Sequence, residues 1–220
     1  RLATHPGVAA AAAAQVARPH GDRERSRNLI VLPGSRRGEV RRLMQPFGET
    51  VKILMERGNV FEVTIPTVPH VAGMVEQASA GWPIAPRIVH TDEEKWAAFA
   101  NADAALAASG TVLLELALSG VPMISCYRPD WMVSALARLI TVWSAALPNL
   151  VVDWPVVPEF YNQFLRPVYI ARVLEQLLHD TPSRAAQVAG FAEVAARMAT
   201  DRPSGELAAE AVLRQIGLHQ

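Results

Sequence analysis

Residues Asp103 to Met123 read DAALAASGTVLLELALSGVPM, and this stretch decides the fold. The apolar run Asp103 to Ala108 predicts a strand, because it is short and is closed by the turn residues Ser109-Gly110-Thr111. Val112 to Ser119 predicts a helix, and Val121 to Cys126 predicts a second strand after Gly120. A strand, a helix and a strand in this order predict a right-handed crossover between parallel strands.

The same alternation runs through the residues before this stretch. Short apolar runs predict strands at Asn28 to Leu32, Val60 to Ile65 and Arg87 to His90. Helical spacing of apolar side chains predicts helices at about Val40 to Leu54, His70 to Ala80 and Asp92 to Ala100. From Pro167 onward only helical patterns follow. The predicted fold class is therefore α/β, a doubly wound and mostly parallel sheet with a helical C-terminal tail.

The composition narrows the class of protein. Lys+Arg and Asp+Glu both number 21 in 220 residues, so the net charge does not indicate a nucleic-acid-binding protein. The single Cys126 and the scattered histidines support neither a disulfide scaffold nor a metal site, and we expect a reducing, cytoplasmic setting and no metal. No signal peptide pattern is visible, and the start at Arg1 suggests a cut through a longer protein.

The first 27 residues differ in composition from the rest. His5-Pro6-Gly7 punctuates the chain, and an alanine run follows that can form a helix if it finds a surface to pack on. We therefore expect a connector over residues 1–27, one domain over residues 28–220, and C-terminal helices from about residue 167.

The turn after the first predicted strand has the features of an anion site. Ligands of open parallel sheets bind at the carboxyl ends of the strands. Here Gly34, Ser35 and Arg36 lead into a helix, where backbone amides favour anions and the guanidinium can add a charged pair. The alternative is an ordinary turn with solvated arginines, since the spacing matches neither a P-loop nor a dinucleotide fingerprint.

The turn Ser109-Gly110-Thr111 and its helix form a second candidate. The hydroxyls and the glycine serve equally as a helix cap or as a pyrophosphate cradle. Glu115 is the only charge in a helix that is otherwise apolar, so its carboxylate needs a partner. That partner is either the ribose of a ligand or an arginine such as Arg128.

A third region combines Asn149 with Glu159, Tyr161 and Asn162, which suit recognition of sugar hydroxyls or a loop that caps itself. Just before it, Trp131 to Leu147 is apolar but too interrupted for a membrane span. We expect a core helix there, or an interfacial helix that touches the membrane or a second subunit.

Taken together, these strings resemble the lipid-A-disaccharide synthases, inverting glycosyltransferases of the two-domain GT-B type with Rossmann-like domains. The matching strings are LPGSRRGEV from Leu32, DAALAASGTVLLELALSGVPM from Asp103 with Tyr127-Arg128 after it, LPNL from Leu147 and VPEF from Val157. The resemblance extends from about Asn28 to Ile216. His5-Pro6 is similar to the His-Pro at the family's domain junction.

The resemblance implies roles for individual residues. Gly34, Ser35 and Arg36 would meet the diphosphate or the acceptor, Ser109, Gly110 and Thr111 would cradle the diphosphate, and Glu115 would hold the ribose. Tyr127, Asn149, Glu159 and Asn162 would complete the UDP-sugar site, although many family members have Gln where this chain has Asn162. Arg36 and Asn149 would support catalysis. The general base would lie in an N-terminal acceptor domain that is not part of this chain.

The resemblance also implies the reaction and its partners. A diacylglucosamine would pass from its UDP carrier to diacylglucosamine 1-phosphate, giving lipid A disaccharide and UDP, without a cofactor. Peripheral contact with the inner membrane and a homodimer are left open. The alternatives are a peptidoglycan glucosaminyltransferase or UDP-sugar epimerase of the same architecture, and a non-catalytic nucleotide-binding module.

Overall fold

The computed structural model describes residues 2–17, 26–128, 142–199, 202 and 204–215. Within these residues six parallel strands form one sheet in the order β3-β2-β1-β4-β5-β6. The strands are β1 Arg27–Leu32, β2 Phe61–Pro66, β3 Arg87–Val89, β4 Ala104–Ala108, β5 Met123–Tyr127 and β6 Glu159–Tyr161. The predicted α/β class with a doubly wound parallel sheet is confirmed.

Helices cover both faces of the sheet. They are α1 Pro6–Ala17, α2 Arg37–Glu56, α3 Pro69–Ser79, α4 Asp92–Asn101, α5 Val112–Leu118, α6 Leu147–Val152, α7 Pro167–Leu178, α8 Pro182–Met198 and α9 Ser204–Gln215. Helices α2, α3 and α7 pack on one face, and α1, α4, α5, α6 and α8 pack on the other. The predicted C-terminal helices are therefore present, and α7 and α8 pack back on opposite faces of the sheet.

The central strands are buried on both faces, which explains their unbroken apolar sequence. In β1, Leu29 and Val31 join the core under α2, while Ile30 and Leu32 join the core under α4 and α5. All residues of β4 are buried, and all but Leu106 are alanine. Such small side chains let the helices approach the strand closely on either side.

Two elements were missed by the sequence prediction. Residues of the third candidate region form β6, which pairs with β5 through Ser125 and Glu159, and not a self-capping loop. The strand has only three residues, so no alternation of polar and apolar side chains could reveal it. Leu147–Val152 forms the short helix α6, with proline at its second position, where a missing N–H is tolerated.

The helix predicted from Trp131 to Leu147 lies largely outside the described residues. The part that is described, residues 142–146, is not helical, and the helix begins only at Leu147. No helix among the described residues is both long enough and apolar enough to cross a membrane.

The alanine run of the predicted connector forms α1, which packs on α4. Gln15 is 6% exposed, and its Nε2 donates hydrogen bonds of 2.8 Å to the carbonyls of both Phe99 and Ala102. The last carbonyls of a helix have no partner within the helix, so this amide satisfies the C-terminal end of α4. The division of the chain at residue 28 stays a prediction.

Candidate functional site

A cleft of about 600 Å³ opens at the carboxyl edge of the sheet. The chain leaves β1 toward β2 on one side, while β4 lies on the other side, so the strand order reverses at this point. Ligands of open α/β sheets bind at such a point. The turns after β1, β2, β3 and β4 all contribute to its lining, including Gly34, Thr67, His90 and Ser109.

Gly34 makes the tight turn after β1. Its φ is +100°, and a Cβ at this position would lie 2.3 Å from Oε2 of Glu39 and 2.7 Å from its Cβ. Both the backbone angle and the contact require glycine here. The turn is therefore pressed against the first turn of α2, at the rim of the cleft.

Arg36 is the N-cap residue of α2, just before the helix, and is paired with Glu39. Its backbone N–H donates to Glu39 Oε2 at 3.2 Å, and its Nη1 donates to Oε1 at 2.7 Å. The Arg36 side chain is 82% exposed and the Glu39 side chain 17% exposed, so the pair is screened by water. The guanidinium thus stands at the cleft rim, and its role toward a diphosphate stays a prediction.

Ser35 connects this turn to α3 through its backbone. The carbonyl of Ser35 accepts a hydrogen bond of 2.7 Å from Nε2 of His70. His70 lies in the first turn of α3, so the turns after β1 and β2 are held together at the cleft wall.

The three residues of the turn after β4, Ser109-Gly110-Thr111, have different roles. The Ser109 hydroxyl donates a 2.8 Å hydrogen bond to the carbonyl of Ala145, so its proton is already used within the protein. Thr111 is exposed, and its side chain makes no capping hydrogen bond to α5. A Cβ on Gly110 would meet no atom of the part of the chain that the structure describes within 4 Å, its two chain neighbours aside. The Thr111 hydroxyl and the open side of Gly110 are therefore available to a ligand, whereas Ser109 holds the turn.

This difference predicts opposite effects for two conservative substitutions. If the cleft binds UDP, as the resemblance implies, Thr111→Val should weaken that binding by about tenfold, because one hydrogen bond to a charged group is lost, and should leave the free energy of unfolding unchanged. Ser109→Ala should lower the free energy of unfolding by about 1 kcal/mol, because the Ala145 carbonyl loses its donor. Calorimetric titration with UDP and urea unfolding of both variants measure the two effects. Equal loss of UDP affinity without loss of stability in Ser109→Ala would contradict this division.

Glu115 faces the cleft from α5, and its partner is a lysine. Glu115 Oε2 lies 3.2 Å from Nζ of Lys95, and both side chains are 21% exposed. The sequence left open either a ribose or an arginine such as Arg128 as the partner, and the structure pairs the carboxylate with Lys95. The helix is apolar on every face but is not buried on every face, because Val112 and Leu114 are only half-buried. The carboxylate is thus partly open to a ligand at the cleft wall.

The sequence analysis did not identify the cleft residues that follow β2 and β3, among them Lys95. The lining includes Thr67 after β2 and His90, Thr91 and Asp92 after β3. The signal was present, because both strands were predicted and their turns had to reach the same edge of the sheet. What distinguished the other turns was glycine, which these two turns lack.

Asn149 lies outside the cleft lining, and both polar ends of its side chain are used. Its Nδ2 donates to the Val157 carbonyl at 3.0 Å, and its Oδ1 accepts from the Val157 N–H at 2.7 Å. The residue is 1% exposed. Asn149 therefore fixes the chain that enters β6, and a direct catalytic contact stays a prediction without geometric support.

Glu159 also lies outside the cleft lining, where it binds the segment before α6. Its carboxylate accepts from the Ser144 hydroxyl at 2.8 Å, from the N–H groups of Ala145 and Ala146 at 3.0 Å each, and from the Tyr161 hydroxyl. Burial and the hydrogen bond donated to this carboxylate raise the pKa of Tyr161. The carbonyl of Ala145 accepts the hydrogen bond from Ser109. Glu159 therefore stabilises the turn after β4 indirectly, through its hydrogen bond from the Ala145 N–H.

Tyr127 lies at the end of β5, and Asn162 lies directly after the edge strand β6. Tyr127 ends β5 beside Tyr161 and is half-buried. Asn162 is exposed, with a φ of +42°, an angle that asparagine tolerates better than most residues. Neither residue is in the lining of the cleft, so their predicted contacts with a UDP-sugar stay predictions.

Metal ligation has no candidate in the part of the chain that the structure describes. No group of three or more His, Cys, Asp or Glu side chains is close enough there to hold a metal ion. Metal independence stays a prediction.

The chain matches the family model described as lipid-A-disaccharide synthetase over residues 13–212. This chain belongs to that family. The match begins within α1 and ends within α9, so it covers the whole sheet and the cleft.

Curated proteins of similar sequence carry the name of the same family. The lipid-A-disaccharide synthase of Bradyrhizobium diazoefficiens is 42% identical over 203 residues, which cover 89% of this chain and 52% of the relative. The synthases of Rhodopseudomonas palustris strain CGA009 and Rhodospirillum centenum are 44% and 43% identical, and the chain covers 47% and 50% of them. The chain thus spans about half the length of the curated relatives it matches.

Several solved structures share the fold of this chain. WaaG, described as a glycosyltransferase involved in lipopolysaccharide biosynthesis, aligns with a TM-score of 0.52 at 17% identity, over 81% of this chain and 44% of that one. TarM aligns with a TM-score of 0.55 at 8% identity, over 89% of this chain and 36% of that one. At these identities the likeness concerns the fold alone.

Proposed function

We propose that this chain is the nucleotide-binding half of a glycosyltransferase of lipid A biosynthesis. In the proposed reaction a diacylglucosamine leaves its UDP carrier and joins diacylglucosamine 1-phosphate, which gives lipid A disaccharide and UDP. The names of the curated relatives support the reaction. The observation that carries the proposal is the cleft at the strand reversal, whose lining includes Gly34, Arg36, Gly110, Thr111 and Glu115.

In this proposal, the residues of this chain bind the nucleotide that leaves during the reaction. An acceptor hydroxyl oxygen forms a bond to the anomeric carbon, the bond from that carbon to the diphosphate oxygen breaks, and a base takes the hydroxyl proton. The diphosphate then carries additional negative charge. Arg36 and the amides of the turn before α5 can stabilise this charge, while Glu115 accepts hydrogen bonds from the ribose. We place the base in the part of the enzyme that lies beyond this chain.

Calorimetric titration of the chain with UDP tests the proposal. We expect saturable binding that adding a chelator leaves unchanged. Arg36→Ala should weaken binding by about tenfold through the loss of one charged contact. It should not change the free energy of unfolding, because the side chain is 82% exposed.

Arg37→Ala is the matched control, because the neighbouring arginine is exposed and is not in the lining of the cleft. Its UDP affinity should equal that of the unaltered chain. An Arg36→Ala variant that also binds UDP normally would remove Arg36 from the site, and absence of UDP binding by the unaltered chain would refute the proposed function.

A further inference from the structure

Lys95 is the least expected side chain of the cleft. Its Nζ lies 3.2 Å from Oε2 of Glu115 and 3.3 Å from Oδ1 of Asp92. The Asp92 side chain is 87% exposed, so water screens that contact strongly, whereas Glu115 is 21% exposed. The contact with Glu115 is therefore the stronger of the two.

The ammonium group of Lys95 is fixed from a third direction by Trp96. Nζ lies 4.3 Å from the centroid of the Trp96 ring, within the range of a cation–π interaction. The indole is itself enclosed, because it packs edge-on against Phe99 at 5.4 Å and lies 5.0 Å from the ring of His5. A Cβ on Gly7 would lie only 2.5 Å from the indole, so the backbone of the first turn of α1 packs directly against it. The lysine is thus held in one position before any ligand arrives.

A direct role of Lys95 on a diphosphate does not fit these contacts. Two carboxylates lie within 3.3 Å of its ammonium, so its positive charge is already balanced. A carboxylate oxygen offers two lone pairs, and Lys95 takes up one of them on Oε2 of Glu115. The Oε1 atom and the other lone pair of Oε2 remain available as acceptors.

We propose that Lys95 is a positioning residue that orients the carboxylate of Glu115 to accept hydrogen bonds from the ribose hydroxyls of the nucleotide. The proposal rests on the proposed function, in which Glu115 binds the ribose. Without the lysine, a carboxylate that is only 21% exposed loses its counter-charge, and its rotamer is no longer fixed. Lys95 then acts through Glu115 and contacts no substrate itself.

Discrimination between UDP and 2′-deoxy-UDP tests this role, because a purely structural ion pair would not affect it. Both nucleotides are titrated into the unaltered chain, Lys95→Met, Glu115→Gln and the double variant. We expect the unaltered chain to bind UDP about tenfold more tightly than 2′-deoxy-UDP, the value of one good hydrogen bond. Lys95→Met should remove most of this preference. The double variant should be no worse than Glu115→Gln, since residues that act as a unit are not additive.

Lys52→Met is the control, because it removes the same charge from an exposed lysine paired with Glu56, away from the cleft. It should leave the preference for UDP unchanged. Lys95→Gln takes the place of Lys95→Met if thermal melting shows that the methionine variant does not fold.

The outcomes separate the two proposals. Absence of binding of either nucleotide to the unaltered chain refutes the proposed function. Normal discrimination in Lys95→Met, or losses that add to those of Glu115→Gln, would overturn the role of Lys95 while leaving the proposed function in place.

Discussion

Gly110→Val is expected to weaken UDP binding by about a hundredfold, because forcing extra methyl groups into filled space costs about 1 to 3 kcal/mol. Apart from the two chain neighbours, no atom of the described residues lies within 4 Å of a Cβ at this position, and the residue lines the cleft. The added methyl groups therefore point into space that the ligand would fill. A β-branched side chain cannot easily rotate away.

The free energy of unfolding of Gly110→Val should change by less than about 0.5 kcal/mol, as for surface substitutions that touch nothing. Gly81→Val is the matched control, since a Cβ there also meets open space but Gly81 lies away from the cleft. Titration and urea unfolding of both variants give the comparison. UDP binding by Gly110→Val at the level of the control would place the diphosphate somewhere other than the turn after β4.

Glu159→Gln is expected to lower the free energy of unfolding by about 2 to 3 kcal/mol, because buried and half-buried donors lose a charged acceptor. The carboxylate accepts from Ser144, Ala145, Ala146 and Tyr161. A glutamine amide must point its NH₂ group at some of these donors, so it cannot replace both oxygens. UDP affinity should fall as well, because the Ala145 carbonyl that holds Ser109 loses its support.

Tyr161→Phe serves as the control for Glu159→Gln. It removes one of the donors and leaves the carboxylate in place, so we expect a loss of about 1 kcal/mol and nearly normal UDP binding. Chemical unfolding and calorimetric titration measure both quantities. If Glu159→Gln bound UDP normally despite a large loss of stability, the link from β6 to the cleft would not hold.

The fold was predictable because burial on two faces leaves a plain pattern. Central strands such as β1 and β4 are unbroken apolar runs, and α2 carries apolar side chains at helical spacing. The edge strand β6 was not predictable, because three residues that are only half-buried carry no periodic signal. Its position depends on pairing with β5, which is a contact between distant parts of the chain.

The candidate site was predictable where glycine and hydroxyl residues mark a turn, as at Gly34 and Ser109-Gly110-Thr111. The partner of Glu115 was not, because Lys95 lies twenty positions earlier and comes near it only because α4 and α5 lie on the same face of the sheet. The orientation of a side chain also could not be predicted from the sequence. The resemblance implies that Glu159 belongs to the UDP-sugar site, but the sequence could not show that its carboxylate accepts hydrogen bonds from the backbone N–H groups of Ala145 and Ala146.

The hydrogen bonds of Gln15 bear on how this protein can be dissected. Cutting the chain at residue 28 would discard α1, and the buried carbonyls of Phe99 and Ala102 would lose the amide that now binds them. The cut would also uncover the indole of Trp96, against which His5 and Gly7 lie. The smallest piece worth expressing for biophysical work therefore starts ahead of His5, and a shorter piece would expose apolar surface and aggregate.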